Sequence, residues 1–462
     1  MPRLANLAGD APAASIIVLP ADRLRGELRL PGDKSISHRA LMLALLAEGE
    51  SRIEGAGDGA DIRSTAAVAA ALGATVSRVG GDGSNVDYLI SSPGDAGLRS
   101  PAAVLDCGNS GTSLRLFAGI LAGLPLTAVL DGDASLRRRP VARIIEPLRA
   151  MGATLEAHDH DSLPPVTVIG RRPLRPIDWA TPVPSAQVKS AILLAGLRAD
   201  GTTRVRERVA TRDHSERMLR ARGVAVRSFP EGAAGAVIEI DGGTAVQAMD
   251  ERVPGDPSAA AFWLVAAAAH PDAELVIRHA GVNPTRRAVI DLLARMGAQI
   301  EERPIGEERE GEPGLSSDHV GEPVADLIAR SSELRAIDIG PADVAAAIDE
   351  IPILCLAATQ ARGRTTIRGA GELRHKESDR LAGIAAGLGA LGAQVEVDGD
   401  DLTIDGPVRL TGAPTDSLDD HRLAMTFAIA GLIAAGRTSV GHPASVSISY
   451  PAFFTDLERI RA

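Results

Sequence analysis

A helix end followed at once by a strand start recurs five times in this chain, and that recurrence limits the fold to an array of similar units. The copies are Leu72-Gly73-Ala74-Thr75-Val76, Met151-Gly152-Ala153-Thr154-Leu155, Arg222-Gly223-Val224-Ala225-Val226, Met296-Gly297-Ala298-Gln299-Ile300 and Leu391-Gly392-Ala393-Gln394-Val395. In each, glycine stands where a left-handed helix C-cap belongs, and alternation with β-branched residues begins directly after it. The first four glycines are 79, 71 and 74 residues apart, and the last gap is 95. The surplus falls in the acidic, Gly- and Pro-bearing stretch around Glu301 to Pro323, which reads as an exposed insertion.

Between these copies lies a second signature, a turn of small and polar residues that opens into an apolar helix. It begins at Pro31-Gly32-Asp33-Lys34-Ser35, at Asp106-Cys107-Gly108-Asn109-Ser110-Gly111, at Pro184-Ser185-Ala186-Gln187, at Pro254-Gly255-Asp256-Pro257, at Asp349-Glu350-Ile351-Pro352 and at Asp419-Asp420-His421-Arg422. The two signatures together predict an α/β chain of six units of about 75 residues, arranged as two domains of three. If the buried helices of each domain run parallel, their N-termini converge, and two such surfaces enclose an electropositive cleft.

Composition bounds the partners. A net charge of -11 and 2% aromatic residues argue against a nucleic-acid-coating protein, although a local basic cleft is compatible with both. Cys107 and Cys355 make neither a disulfide framework nor a metal-binding spacing, and both read as small buried residues, with Cys107 the one candidate nucleophile. Residues Met1 to Ser15 carry no basic segment followed by an apolar run, so no signal peptide is expected and the chain reads as cytoplasmic. No run is long and apolar enough for a membrane span.

Cations gather at the helix starts. Lys34 and Arg39 flank the first, Arg137-Arg138-Arg139-Pro140 precedes a helix at Val141, and Glu372-Leu373-Arg374-His375-Lys376-Glu377-Ser378-Asp379-Arg380 runs into a helix expected to start near Ser378. Cations around Glu377 favour its ionised form, whereas burial in a closed cleft favours the acid, and the sequence leaves both open. Asp349, beside Glu350, is a candidate base for a hydroxyl proton. Asp213 and Glu216 have the spacing of a helix cap, which makes His214 part of a turn rather than a catalytic base. No cofactor, metal or dinucleotide motif is present, and Gly108-Asn109-Ser110-Gly111-Thr112 lacks the Gly-Lys ending of a nucleotide loop. The cations therefore point to small substrates that carry several phosphates and carboxylates.

Five of these stretches, Pro31 to Arg39, Gly108 to Thr112, Ser185 to Ser190, Lys376 to Arg380 and Asp420 to Arg422, resemble in order the signatures of the 3-phosphoshikimate 1-carboxyvinyltransferases, the EPSP synthase family. The resemblance implies a two-domain enolpyruvyl-transferase fold, each domain three βαβαββ repeats around parallel buried helices. The lower domain would be discontinuous, residues 1–31 plus 253–462, the upper one 32–252, with 1–14 a disordered extension. It implies transfer of the enolpyruvyl group of phosphoenolpyruvate to the 5-hydroxyl of shikimate 3-phosphate by addition and elimination, in a monomer without cofactor. Family roles carried over are Lys34, Ser35, Arg39, Ser185, Ala186, Gln187, Thr211, Asp349 and Lys376 for shikimate 3-phosphate. For phosphoenolpyruvate they are Lys34, Asn109, Gly111, Arg139, Gln187, Arg380 and Arg422. Asp349, Glu377 and Lys34 are the implied catalytic residues.

Two departures from the family pattern stand out. Ala186 replaces a serine of some members, and Val446-Ser447-Ile448-Ser449-Tyr450-Pro451 lacks a lysine that many carry there. The rivals are the sister transferase acting on UDP-N-acetylglucosamine, whose first motif has Lys-Asn where this chain has Lys34-Ser35, RNA 3'-phosphate cyclase, and a phosphoenolpyruvate-binding module without catalysis.

Overall fold

The structure is a computed structural model that describes residues 15–309, 312–315 and 321–461. The expected N-terminal extension and the centre of the expected insertion lie outside the described residues. All six turn-then-apolar signatures open helices: Lys34–Leu46, Gly111–Ala122, Ala186–Gly196, Pro257–Ala269, Ile351–Gln360 and His421–Ile433. Their apolar residues point in every direction because each helix is packed on all sides, and the interior residues of all six are buried. Five of the six starts are capped by the side chain of the preceding residue, Asp33, Ser110, Ser185, Asp256 or Asp420, which accepts from a backbone N–H of the first turn. The exception is Glu350, whose side chain makes no cap hydrogen bond.

The five glycines after helix ends, Gly73, Gly152, Gly223, Gly297 and Gly392, all have positive φ, between +82° and +124°. Each leads into a strand: Thr75–Gly81, Thr154–Ala157, Val226–Glu231, Gln299–Ile305 and Gln394–Asp398. Five sheets have four strands in one arrangement, a parallel edge strand followed by two antiparallel pairings. The sixth has three, Ser15–Val18 antiparallel to Thr438–Gly441, which runs parallel to Pro414–Asp416. That unit closes with a strand from the other end of the chain, so it has no sixth helix-Gly-strand copy. The 95-residue gap is resolved differently from the expectation. Residues Glu301 to Ile305 already belong to a strand paired with Val324–Arg330, so the extra residues lie at the far end of that pairing, where Glu307–Arg309 pairs with Glu312–Leu315.

Two sheets take their parallel edge strand from a distant part of the chain. Leu24–Arg29 pairs with Ala273–Gly281, and Glu251–Arg252 pairs with the strand Glu48–Gly57. The apolar interior correspondingly forms two cores, one holding Leu30 and Ala259 onward to Ile460, the other holding Ile36 to Val253. The chain passes between them twice, side by side, where Asp33 N–H donates to the Pro254 carbonyl at 2.7 Å and Asp256 N–H to that of Pro31 at 2.9 Å. Gly32 is required there, since a Cβ would stand 2.0 Å from the Gly55 carbonyl oxygen. Among the described residues no helix is long and apolar enough to cross a membrane.

Candidate active site

The first turns of the three upper helices meet through their side chains. Lys34, the first residue of its helix, ion-pairs with Asp61, a buried residue in the first turn of the helix Ala60–Leu72. One turn on, Arg39 donates to the Ser35 carbonyl at 2.9 Å, to Ser190 Oγ at 2.7 Å and to Ser215 Oγ at 2.7 Å. Burial pushes Arg39 down to about 10, which leaves it charged at neutral pH. From the second helix, Arg115 donates to Gln187 Oε1 at 2.8 Å, and Gln187 Nε2 donates to Thr112 Oγ1 at 3.0 Å, so the Gln187 amide is held from both sides. Asn109 sits half-buried in the turn before that helix. At Gly111 a Cβ would come within 2.5 Å of Arg115 Nη1 and 3.7 Å of Arg139 Nη1, so the absent side chain leaves room for both guanidinium groups. Ser185 caps the third helix, Ala186 is its first residue, and both are half-buried.

Across from this surface, Arg380 is the centre of the lower one. It is 1% exposed and donates to Asp420 Oδ2 at 2.7 Å and to Glu377 Oε2 at 2.6 Å, while its Nη1 lies 3.7 Å from Asp349 Oδ1. Its helix starts at Arg380 with Asp379 as cap, two residues later than expected, which leaves Lys376 and Glu377 on the approach. Lys376 Nζ is 3.9 Å from Asp349 Oδ1. Arg422 is half-buried in the first turn of the last buried helix.

Two ion pairs join the surfaces: Arg139 Nη2 to Glu377 Oε1 at 3.6 Å, and Arg212 Nη2 to Asp349 Oδ2 at 3.0 Å. Cations thus outnumber carboxylates, and the acids respond. Burial alone would raise the Glu377 carboxyl, but Arg380 first, and then Arg139 and Lys34, hold it far below the usual range. At Asp349 burial is likewise overcome, by Arg422, Lys376, Arg212 and Arg380. Both are carboxylates at neutral pH. His421 is pushed down to about 4, by burial first and then by Arg422, so it is neutral. Of the two outcomes left open for Glu377 by the sequence, the ionised one holds in this structure.

Several expectations change. Asp213 precedes the helix His214–Ala221 but does not cap it, because its carboxylate accepts from Arg217 Nε at 2.8 Å and Asn283 Nδ2 at 2.8 Å, and Glu216 pairs with Lys189 instead. Thr211 turns its hydroxyl to Glu207 at 2.5 Å, and the neighbouring Arg212 is the one that reaches Asp349. Neither Arg212 nor Asp61 was singled out in sequence, since their partners stand far away along the chain. Cys107 is buried and its thiol is pushed up, by burial first and then by Asp106, which makes it inert as a nucleophile. Asp213, His214 and Glu322 come close enough to suggest a metal site. However, each carboxylate oxygen there already accepts a hydrogen bond, from Arg217, Asn283 or His214, so the carboxylates are engaged, and among the described residues His214 Nε2 is the one atom of the group without a partner.

A fold of this kind is found elsewhere. The enolpyruvyl transferase NikO from Streptomyces tendae matches with a TM-score of 0.74 at 21% identity, covering 97% of this chain and 98% of that one, which sets the fold class as that of the enolpyruvyl transferases. An EPSP synthase structure from Acinetobacter baumannii matches with a TM-score of 0.83 at 39% identity over 97% of this chain and 98% of that one. The sequence model of EPSP synthase (3-phosphoshikimate 1-carboxyvinyltransferase) matches residues 18–457. A 3-phosphoshikimate 1-carboxyvinyltransferase from Gloeobacter violaceus is 51% identical over 445 residues, 96% of this chain and 98% of the relative. The chain belongs to the EPSP synthase family.

Proposed function

We propose that this chain transfers the enolpyruvyl group of phosphoenolpyruvate to the 5-hydroxyl of shikimate 3-phosphate and releases inorganic phosphate, as a cytoplasmic monomer. The observation that carries the reading is the pair of ionised carboxylates, Glu377 and Asp349, held on either side of the Arg380 guanidinium at 2.6 and 3.7 Å. Addition and elimination needs one group that gives a proton to an alkene carbon and another that takes one from a hydroxyl. Asp349 accepts the 5-hydroxyl proton as the hydroxyl oxygen attacks the central carbon of phosphoenolpyruvate. Glu377 gives a proton to the terminal carbon; in the elimination a methyl proton returns to the Glu377 carboxylate as the C–O bond to phosphate breaks, and the proton held by Asp349 leaves with the phosphate or to solvent. Lys34, Arg139, Arg380 and Arg422 neutralise the phosphate and carboxylate of phosphoenolpyruvate as charge builds on the leaving group, with Asn109, Gly111 and Gln187 beside it. Lys34, Ser35, Arg39, Ser185, Ala186, Gln187, Thr211, Asp349 and Lys376 hold shikimate 3-phosphate, Thr211 once it releases its hydroxyl from Glu207.

An ionised Glu377 must first gain a proton. Incoming phosphate and carboxylate groups supply the reason, since each competes for Arg380 and Arg139 and adds negative charge beside the glutamate. The two cores serve as the two domains, 32–252 and 1–31 plus 253–462, that close on the substrates. The test is phosphate release from phosphoenolpyruvate with shikimate 3-phosphate or UDP-N-acetylglucosamine as acceptor. Release with the first alone is expected. Release with the second alone would make the chain the sister transferase, and binding without release would make it a binding module.

A further inference from the structure

Beneath the site lies a buried group that the reaction chemistry above does not use. Arg286 is 4% exposed, and its Nη2 donates to Ser258 Oγ at 2.8 Å and stands 3.5 Å from Asp256 Oδ1. On its other side Nη1 is 3.9 Å from Glu350 Oε1, and Ser258 Oγ closes the ring by donating to the same Glu350 oxygen. Each partner sits at a helix start that serves the site. Asp256 caps Pro257–Ala269, and its Oδ2 accepts from the Lys34 backbone N–H at 3.2 Å. Glu350 stands at the N-cap position of Ile351–Gln360, next to Asp349, yet makes no cap bond, because its carboxylate is drawn toward Ser258 and Arg286. Arg286 itself is carried on a turn whose Asn283 bonds Asp213 at 2.8 Å and Glu322 at 2.7 Å, one from each side of the double crossing.

The charge count makes this arrangement consequential. Two buried carboxyls, Asp33 and Glu350, and the half-buried Asp256 act on one guanidinium, and among the described residues Arg286 Nε and Nη1 and Asp33 Oδ2 have no hydrogen-bond partner. Burial, then Asp256, pushes the Asp33 carboxyl up, while Arg286 works the other way. A neutral group in place of Arg286 would leave uncompensated negative charge beneath Lys34 and Asp349.

We propose that Arg286 is a positioning residue for enolpyruvyl transfer: its guanidinium, hydrogen-bonded to Ser258 and set between the Asp256 and Glu350 carboxylates, holds these groups together and thereby fixes Asp349 relative to Lys34. This rests on the function proposed above. Among the described residues Arg286 makes no hydrogen bond or ion pair to a substrate-holding side chain and reaches Lys34 and Asp349 only through Asp256 and Glu350, so its loss acts on the geometry of the reacting groups more than on binding.

Turnover by the native chain is measured first, because its absence sinks the functional reading, whereas a native rate in the variants sinks only this inference. Arg286→Gln should lower kcat about 100-fold, the usual scale for a displacement near 1 Å, with both KM values within about threefold of native. Adding Glu350→Gln removes one of the stranded charges and should recover about tenfold of kcat. Arg286→Lys keeps the charge without the fork and should lose about tenfold. A native kcat in Arg286→Gln overturns the proposal, as does a loss that tracks a fall in melting temperature and is not relieved by Glu350→Gln. Should Arg286→Gln fail to fold, Arg286→Lys decides: a tenfold loss of kcat at unchanged KM supports the role, and a native kcat removes it.

Discussion

Neutral histidines in a cationic site tie the stability of this protein to pH. Burial pushes His38 down to about 3 and His421 down to about 4, and His38 has Thr65 as a hydrogen-bond partner at 2.6 Å. An unfolded histidine titrates near 6.5, so between about pH 4 and 6.5 the unfolded chain binds two protons that the folded chain refuses. Stability therefore rises with pH across that window and is lost as pH falls through it, by up to about 1.4 kcal/mol per pH unit for each histidine. Urea midpoints at pH 7 and pH 5 check this: a marked drop is expected, roughly halved in slope by His421→Asn, and equal midpoints at both pH values would contradict it. At this scale the sequence was half legible. Lys34, Arg139, Glu377, Arg380 and Arg422 stand out as charges at helix starts. Arg212, Asp61 and Arg286 do not, because their meaning comes from partners such as Asp349, Lys34 and Glu350 that only the fold brings near.

At the scale of elements, close backbone approach between helices holds the site residues in register. The helices Gly111–Ala122 and Ala186–Gly196 touch at Gly119, where a Cβ would fall 2.3 Å from the Ala191 carbonyl oxygen. Backbone cannot yield as a side-chain tip can, so Gly119→Ala should cost about 1–3 kcal/mol. It should also part Arg115 from Gln187 and weaken shikimate 3-phosphate binding several-fold, which thermal melts and calorimetry on the same sample would read. An unchanged melt would mean that the two helices slide apart freely. The six helix starts and five capping glycines were legible because a polar turn before an apolar run, and glycine before a strand, are local signals with local causes. What stayed hidden was non-local. The three-stranded sixth sheet completed by Ser15–Val18, and the strands Leu24–Arg29 and Glu251–Arg252 that pair across the crossing, depend on contacts between distant segments. The placement of the extra residues beyond the strand Gln299–Ile305 was missed because their acidic, glycine-bearing composition masked a strand that the sheet enforces.

For the whole molecule, a net charge of -11 coexists with a site in which cations predominate, since Lys34, Arg139, Arg212, Lys376, Arg380 and Arg422, from distant parts of the chain, gather around Glu377 and Asp349. Such a site keeps Glu377 ionised when empty and admits multiply charged anions, whose arrival reverses the balance around the glutamate. The proposed mechanism therefore makes substrate binding and proton uptake one event. The most direct measurement is calorimetric binding of phosphoenolpyruvate, with a 5-deoxy analogue of shikimate 3-phosphate that lacks the attacking hydroxyl as the second ligand, in buffers of different ionisation enthalpy at neutral pH. Uptake approaching one proton per site in the native protein, abolished in Glu377→Gln, is the result expected if cations hold the acid in reserve until the substrate anions arrive. Binding with no proton uptake in either protein would mean that Glu377 stays a carboxylate in the complex, and the proton for the alkene would have to come from another group.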